Sequence, residues 1–196
     1  MESVTGPRIA LITGSVRKGN YTAMAAALVL EELKKREIPC DLVDPSSVDF
    51  RPPGMASSTP ELVTRARDTV RAATGVILAT PEYHGSYSAA IKGVIDNLGY
   101  PSVLAGKPVA LLGVAAGRIG AIKALEHLGS VCLHVGALVL PGPVSVARVR
   151  EVFAEEGRCT DPETELRIRR LVESLICYID RHICPLHALE EMVREG

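Results

Sequence analysis

Short apolar runs bounded by Gly or Pro alternate along the chain with longer segments of helical periodicity. Residues 8–13 (RIALIT), 75–80 (GVILAT) and 108–114 (PVALLGV) are continuous and rich in branched side chains, as strands covered on both faces are. Residues 40–43 and 136–140 predict two shorter strands. Helices are predicted over residues 21–36, 60–73, 86–98 and 117–133, with Thr59-Pro60-Glu61 as an N-cap, a first-turn Pro and a first-turn acid. Asp161-Pro162 opens a last helix, in which Ile168, Leu171, Val172, Leu175, Ile176 and Ile179 recur on one face. Strand–helix alternation of this kind predicts an α/β fold, a doubly wound five-stranded parallel sheet with helices on both faces, in a single domain spanning residues 1–196. Ligands of such sheets bind beyond the carboxyl ends of the strands. The loops after the first, third and fourth strands are therefore the ones that carry chemistry.

Composition narrows the function classes. The 196 residues are 47% apolar, enough for a substantial core, and the net charge of −1 offers no positive field for nucleic acid or an anionic membrane. The five cysteines (Cys40, Cys132, Cys159, Cys177, Cys184) form no CxxC, which argues against a disulfide scaffold or zinc ribbon and for a reducing cytoplasm. Neither a signal peptide nor an apolar run of the ~18–20 residues that span a bilayer is visible.

The first loop, Gly14-Ser15-Val16-Arg17-Lys18-Gly19-Asn20-Tyr21-Thr22, leads from a buried strand into a helix. No Asp or Glu occurs from Ser3 to Leu30, so the helix lacks the acid usually favoured in its first turn. A bound phosphate would fill that role, with Ser15, Asn20 and Thr22 as hydrogen-bonding groups and Arg17 as counter-charge. An ordinary loop capped by Asn20 or Ser15, with Arg17 and Lys18 in solvent, fits the same residues. Asn20-Tyr21 stands where a P-loop requires Lys-Ser/Thr, and the loop is not GxGxxG.

The second loop is Pro81-Glu82-Tyr83-His84-Gly85-Ser86-Tyr87. Three of the five tyrosines (Tyr21, Tyr83, Tyr87) fall in these two loops of a chain with two Phe and no Trp. A flat heteroaromatic ligand would use such walls, and the Gly85 turn would let backbone N–H groups reach its edge. A Tyr/His-rich turn packed over the following helix is the alternative. His84 has no partners at zinc-ligand spacing. In the third loop, Ala115, Ala116, Gly117 and Gly120 allow either close approach to a ligand or tight strand–helix packing, and Arg118 is either an anion contact or a solvated side chain.

Taken together, the loops resemble those of the NADPH-dependent FMN reductase family, which includes flavodoxin-like quinone, azo-dye and chromate reductases. Residues 14–22 are close to its Gly-Ser-x-Arg-x-x-Ser-x-Asn/Thr loop. Pro81-Glu82-Tyr83-His84-Gly85-Ser86, followed by residues 89–98 (AAIKGVIDNL), is similar to its Pro-Glu-Tyr-Asn-Gly-Ser loop and helix. The likeness runs from Arg8 to Val144, with Asn20 in place of the usual Ser and His84 in place of the usual Asn. It implies a flavodoxin-like fold and bound FMN, with phosphate contacts from Ser15, Arg17, Asn20 and Thr22 and with Tyr21 beside them. It also implies isoalloxazine contacts from Pro81, Glu82, Tyr83, His84, Gly85 and Ser86, and a further wall from Ala116, Gly117 and Arg118.

The expected reaction is hydride transfer from NADPH or NADH to FMN, then electron transfer to a small-molecule acceptor on the same face. The acceptor is a flavin, quinone, azo compound or metal ion. No side chain is required as acid, base, nucleophile or metal ligand. A non-catalytic electron carrier of flavodoxin type is the runner-up; the near-neutral charge and Arg17 count against it. A phosphorylation-controlled receiver lacks its acceptor Asp at the strand ends. The resemblance further implies a homodimer or dimer of dimers through the helix 86–98, whose Ala89, Ala90, Ile91, Val94, Ile95 and Leu98 point to more than one side. The proline-bearing loop 44–58, with Phe50, is its expected lid.

Overall fold

A computed structural model of the chain describes residues 6–186 and residue 193. The strands β1 (Ile9–Thr13), β2 (Cys40–Val43), β3 (Gly75–Tyr83) and β5 (Pro108–Val114) form a parallel sheet in the order β2-β1-β3-β5, with β2 at one edge. The far edge is shared by two short strands, β6 (Leu138–Val139) and β7 (Val144–Val146), both parallel to β5. A short β4 (Ser86–Tyr87) turns back antiparallel on β3. Helices α1 (Tyr21–Lys35) and α6 (Pro162–Tyr178) cover one face, and α2 (Pro60–Ala72), α3 (Ala89–Asp96) and α4 (Ile122–His134) the other. A one-turn α5 (Val149–Val152) follows β7, and a π-helical stretch, Ile179–Ile183, extends α6.

The two faces follow from the period-two alternation of side chains along a strand. Ile9, Leu11, Ile77, Ala79, Ala110 and Leu112 pack under α1 and α6. Ala10, Ile12, Val76, Leu78, Val109 and Leu111 pack under the opposite helices. Continuous apolar strands are what a sheet covered on both sides requires. The one-face pattern of α6 is realised in full: Ile168, Leu171, Val172, Leu175, Ile176 and Ile179 are all buried. Glu32 of α1 is buried beside α6 and takes hydrogen bonds from Arg36 (2.7 Å) and Arg169 (3.3 Å), which hold its carboxyl below the usual range. Among the described residues no helix is long and apolar enough to cross a membrane.

Several expectations shift. The sheet has seven strands rather than five, because the third strand runs on to Tyr83 and doubles back, and the last strand is split. The predicted strand 136–140 shrinks to β6, and between β6 and β7 the pairing on β5 slips by two residues. The helix expected at Ser86 begins at Ala89, with Ser88 as its N-cap, and the one expected at Gly117 begins at Ile122. Thr59 stands at the N-cap of α2, but its hydroxyl instead accepts the Asp49 N–H (2.9 Å).

The loop 44–58 is fastened to its own chain. Asp49 accepts from the Ser58 N–H and hydroxyl, both at 2.8 Å, and Asn97 of the α3 C-cap donates to the Arg51 carbonyl (2.9 Å). Phe50 packs on the core cluster beneath α3 and lies over Gly93. Phe50, the residue expected as a lid contact, is thus half-buried against this chain's own core. Ile91, Val94, Ile95 and Leu98 are buried within the chain, which leaves Ala89, exposed, and Ala90, half-buried, as what remains of the second apolar face expected on this helix.

Candidate functional site

The loops after β1, β3 and β5 lie at the carboxyl end of the sheet, with β3 between its two neighbours. Gly14 permits a close contact there. A Cβ at that position would lie 2.9 Å from Ser88 Oγ and 3.1 Å from the Ala79 carbonyl, so the first loop presses directly on the base of the second. The Gly14 N–H donates to Ala79 O (2.7 Å) and the Ser88 hydroxyl donates to Gly14 O.

Asn20 caps α1. Its Oδ1 accepts the Ala23 N–H (2.8 Å) and its Nδ2 donates to Arg17 O (2.6 Å), closing the loop on itself. Its side chain is thus committed to the helix end. Two hydroxyls have the opposite status. Ser15 Oγ and Thr22 Oγ1 are buried and have no hydrogen-bond partner, the only such side-chain atoms among the described residues. A buried orphan hydroxyl costs about 1–3 kcal/mol. Both flank the positive end of α1, whose first turn holds no acid. Arg17 and Lys18 stand exposed beside them and form no ion pair among the described residues. Orphan donors, a helix N-terminus and an unneutralised guanidinium form a donor set that fits a phosphate group.

The second loop is a two-residue hairpin. Glu82 pairs with Tyr87 and Tyr83 with Ser86, leaving His84 (φ 49°) and Gly85 (φ 76°) as the turn. Both central residues carry positive φ, as a type I′ turn demands. The replacement of the usual Asn by His84 is thereby explained, since Asn and His are both enriched in the left-handed region. The hairpin rests on α4. Glu82 Oε2 accepts the Ala124 N–H (3.0 Å), capping a helix whose own N-cap residue, Ala121, has no side-chain oxygen. Ser86 Oγ lies 3.1 Å from His127 Nδ1, and Tyr87 packs on Ala115, Ala121 and Ala124. Pro81 is buried; Tyr83 and His84 are exposed.

In the third loop Ala116, Gly117 and Arg118 are exposed, whereas Ala115 and Gly120 are buried. The loop is tied to β7 and the residues that follow it: Arg148 N–H donates to Gly117 O (3.1 Å), and Ala121 N–H to Ser145 Oγ (2.8 Å). Gly120 has φ +81°, and a Cβ there would strike Ser145 Oγ. Ser145, His127 and Lys123 escaped the sequence reading because no motif marks them; they join the site through the two-residue slip of the edge strand and through the face of α4.

The sequence ties this geometry to known proteins. The model of the family described as NADPH-dependent FMN reductase matches residues 7–151, from the start of β1 through all three loops to α5. The chain belongs to the NADPH-dependent FMN reductase family. An NAD(P)H-dependent FMN reductase of Pseudomonas aeruginosa is 30% identical over 174 residues, covering 87% of this chain and 94% of that protein. A 2-hydroxy-1,4-benzoquinone reductase of a Burkholderia species is 29% identical, covering 69% of this chain and 75% of that protein. Among solved structures, the flavoenzyme NAD(P)H:(acceptor) oxidoreductase FerB of Paracoccus denitrificans superposes with a TM-score of 0.77 at 27% identity, over 90% of this chain and 98% of that one. The chain is accordingly an FMN-dependent oxidoreductase that uses NAD(P)H. The flavodoxin-like architecture is shown as well: a flavodoxin from the domain Archaea, 12% identical, superposes with a TM-score of 0.63 over 89% of this chain and 99% of its own.

Proposed function

We propose that the phosphate of FMN is held by Ser15, Thr22, Arg17 and the first-turn N–H groups of α1, with Tyr21 alongside. The carrying observation is the pair of buried, unpartnered hydroxyls, Ser15 Oγ and Thr22 Oγ1. Asn20 supports this site by capping the helix rather than by its own side-chain contact. The isoalloxazine edge meets the hairpin Tyr83, His84, Gly85 and Ser86, above Pro81 and Glu82. Ala116, Gly117 and Arg118 form the opposite wall. Bound FMN supplies the hydride acceptor and the electron donor. The protein's own residues position it and offer backbone donors at its polar edge.

Nicotinamide and acceptor use one face in turn, so the kinetics are ping-pong. The acceptor is a small oxidised aromatic of quinone type, in keeping with the benzoquinone reductase named above. Val16, Tyr83, Ile119 and Ile122 stand exposed on the three loops and the adjoining start of α4. A second copy of the chain covers them in a homodimer or dimer of dimers, and light scattering at micromolar concentration tests that assembly. Five free thiols suit a cytoplasmic protein.

Titration of the apoprotein with FMN and with riboflavin, which lacks the phosphate, tests the site. FMN is expected to bind at least tenfold more tightly. Equal affinity for both removes the phosphate loop from the proposal. Intersecting rather than parallel double-reciprocal lines with a quinone remove the shared face.

A further inference from the structure

Besides the packing of Tyr87, the hairpin placed at the flavin edge is held by α4 at three points. Glu82 accepts the Ala124 N–H, and the Lys123 stem lies beside Gly85, its Cδ 3.5 Å from where a Cβ would stand. Ser86 Oγ and His127 Nδ1, 3.1 Å apart, make the third. Only this last contact can change its sense. A neutral imidazole carrying its hydrogen on Nε2 accepts the Ser86 O–H at Nδ1. An imidazolium donates from Nδ1 to Ser86 Oγ and frees the hydroxyl hydrogen for another acceptor. His127 is exposed, so solvent can supply the proton.

The charged and titratable surroundings are few. On α4 itself they are Lys123, Glu126, Cys132 and His134. The packed hairpin contributes Glu82, Tyr83, His84 and Tyr87, with the Glu82 carboxylate committed to the helix cap. The strands β5 and β6, which also pack on α4, carry no titratable side chain.

We propose that His127 is a redox-linked proton acceptor and a positioning residue for Ser86. This rests on the FMN site proposed above. The nicotinamide loses a hydride, two electrons and one proton, and is oxidised to NAD(P)+. The hydride passes to FMN and leaves negative charge on its polar edge. His127 Nδ1 then takes one proton from solvent, and the Ser86 O–H turns from His127 toward that edge. When the acceptor removes the electrons, His127 returns its proton to solvent or to the reduced acceptor. A negative charge near an imidazole favours its cationic form, and a cation near the flavin edge in turn favours reduction. The two equilibria are therefore reciprocal.

The test is the midpoint potential of bound FMN against pH across the neutral range, in the wild type and in His127→Gln. Glutamine keeps a hydrogen-bonding group at the position and takes no proton. The wild type is expected to show an interval in which the reduction equilibrium changes by up to a further factor of ten per pH unit relative to the variant, about 30 mV for a two-electron couple. In wild-type protein the His127 imidazole resonances should titrate at higher pH with reduced than with oxidised flavin. Parallel potential curves, or an imidazole titration blind to the flavin's redox state, overturn the role of His127. Failure of the wild type to bind FMN overturns the site and this inference together; bound FMN with parallel curves overturns only the inference.

Discussion

The first loop and the hairpin differ in what they leave unmade. In the hairpin Glu82 is engaged with Ala124 and Ser86 with His127, and Ser88 just beyond with Gly14 and Ile91. In the first loop Asn20 is engaged, while among the described residues Ser15 and Thr22 are buried without partners and Arg17 and Lys18 stand without counter-charges. The hairpin is fixed before any ligand arrives. The loop carries a deficit that an anion would remove. Binding energy is thus concentrated at the phosphate end, and geometric definition at the end where the chemistry occurs.

Arg17→Ala tests this difference most directly. Exposed and unpaired, Arg17 contributes nothing the fold needs, so apoprotein stability should stay within ~0.5 kcal/mol. FMN affinity should fall by about 2 kcal/mol, the scale of a charge-assisted hydrogen bond. Isothermal titration and thermal melts of the same variant check both halves; a variant that melts early yet binds FMN normally would place Arg17 in the fold instead.

Thr22→Val sharpens it, because the two effects should have opposite signs. Removing an orphan hydroxyl at constant shape should stabilise the apoprotein by about 1 kcal/mol, while FMN binding weakens by about 1–2 kcal/mol. Denaturant unfolding with and without FMN reads the two quantities. A less stable apoprotein would mean that the hydroxyl already has a partner.

Glu82→Ala probes the other side. Loss of the cap on α4 should cost about 1 kcal/mol of stability. The hairpin should also loosen, so that hydrogen exchange at Tyr83 to Ser86 accelerates while that of the first loop does not.

The smallest effect concerns the loop 44–58. Hydrogen bonds from Ser58 and from Arg51 hold the Asp49 carboxyl down at about 2. An unfolded Asp titrates near ~3.9. The support this carboxylate gives is therefore complete above about pH 4 and is lost as pH falls through about 2. Carboxyl NMR of Asp49 should show the low midpoint, with Phe50 signals unchanged at pH 4.

Much of this was legible in the residues. The three central strands are continuous apolar runs, and α6 carries a clean periodic face, so both follow from burial alone. The loops of the site fell where strand ends predicted them. What stayed hidden was tertiary. The continuation of β3 through Pro81-Glu82-Tyr83 reads as a loop because its pairing partner, Ser86-Tyr87, is only two residues long. The late start of α4 depends on Glu82 acting as its cap across 42 positions, a relation with no local trace. Asn20, in turn, reads first as a phosphate ligand and second as a cap, and the observed bonds show it capping. Phe50 reads as a free apolar contact because the core it packs on lies 43 residues away in sequence, at Gly93.

The split edge strand has a consequence for how this protein behaves at high concentration. A sheet edge is a template on which a strand from another molecule can add. Here the outer edge offers two residues in β6 and three in β7, separated by Leu140-Pro141-Gly142-Pro143 and out of step by two. The prolines donate no hydrogen bond, and an incoming strand finds no continuous ladder to extend. Removing Pro141 and Gly142 would bring the two halves into one register and lengthen the edge. The same two residues whose insertion carries Ser145 up to the start of α4 therefore also keep neighbouring molecules from stacking sheet to sheet.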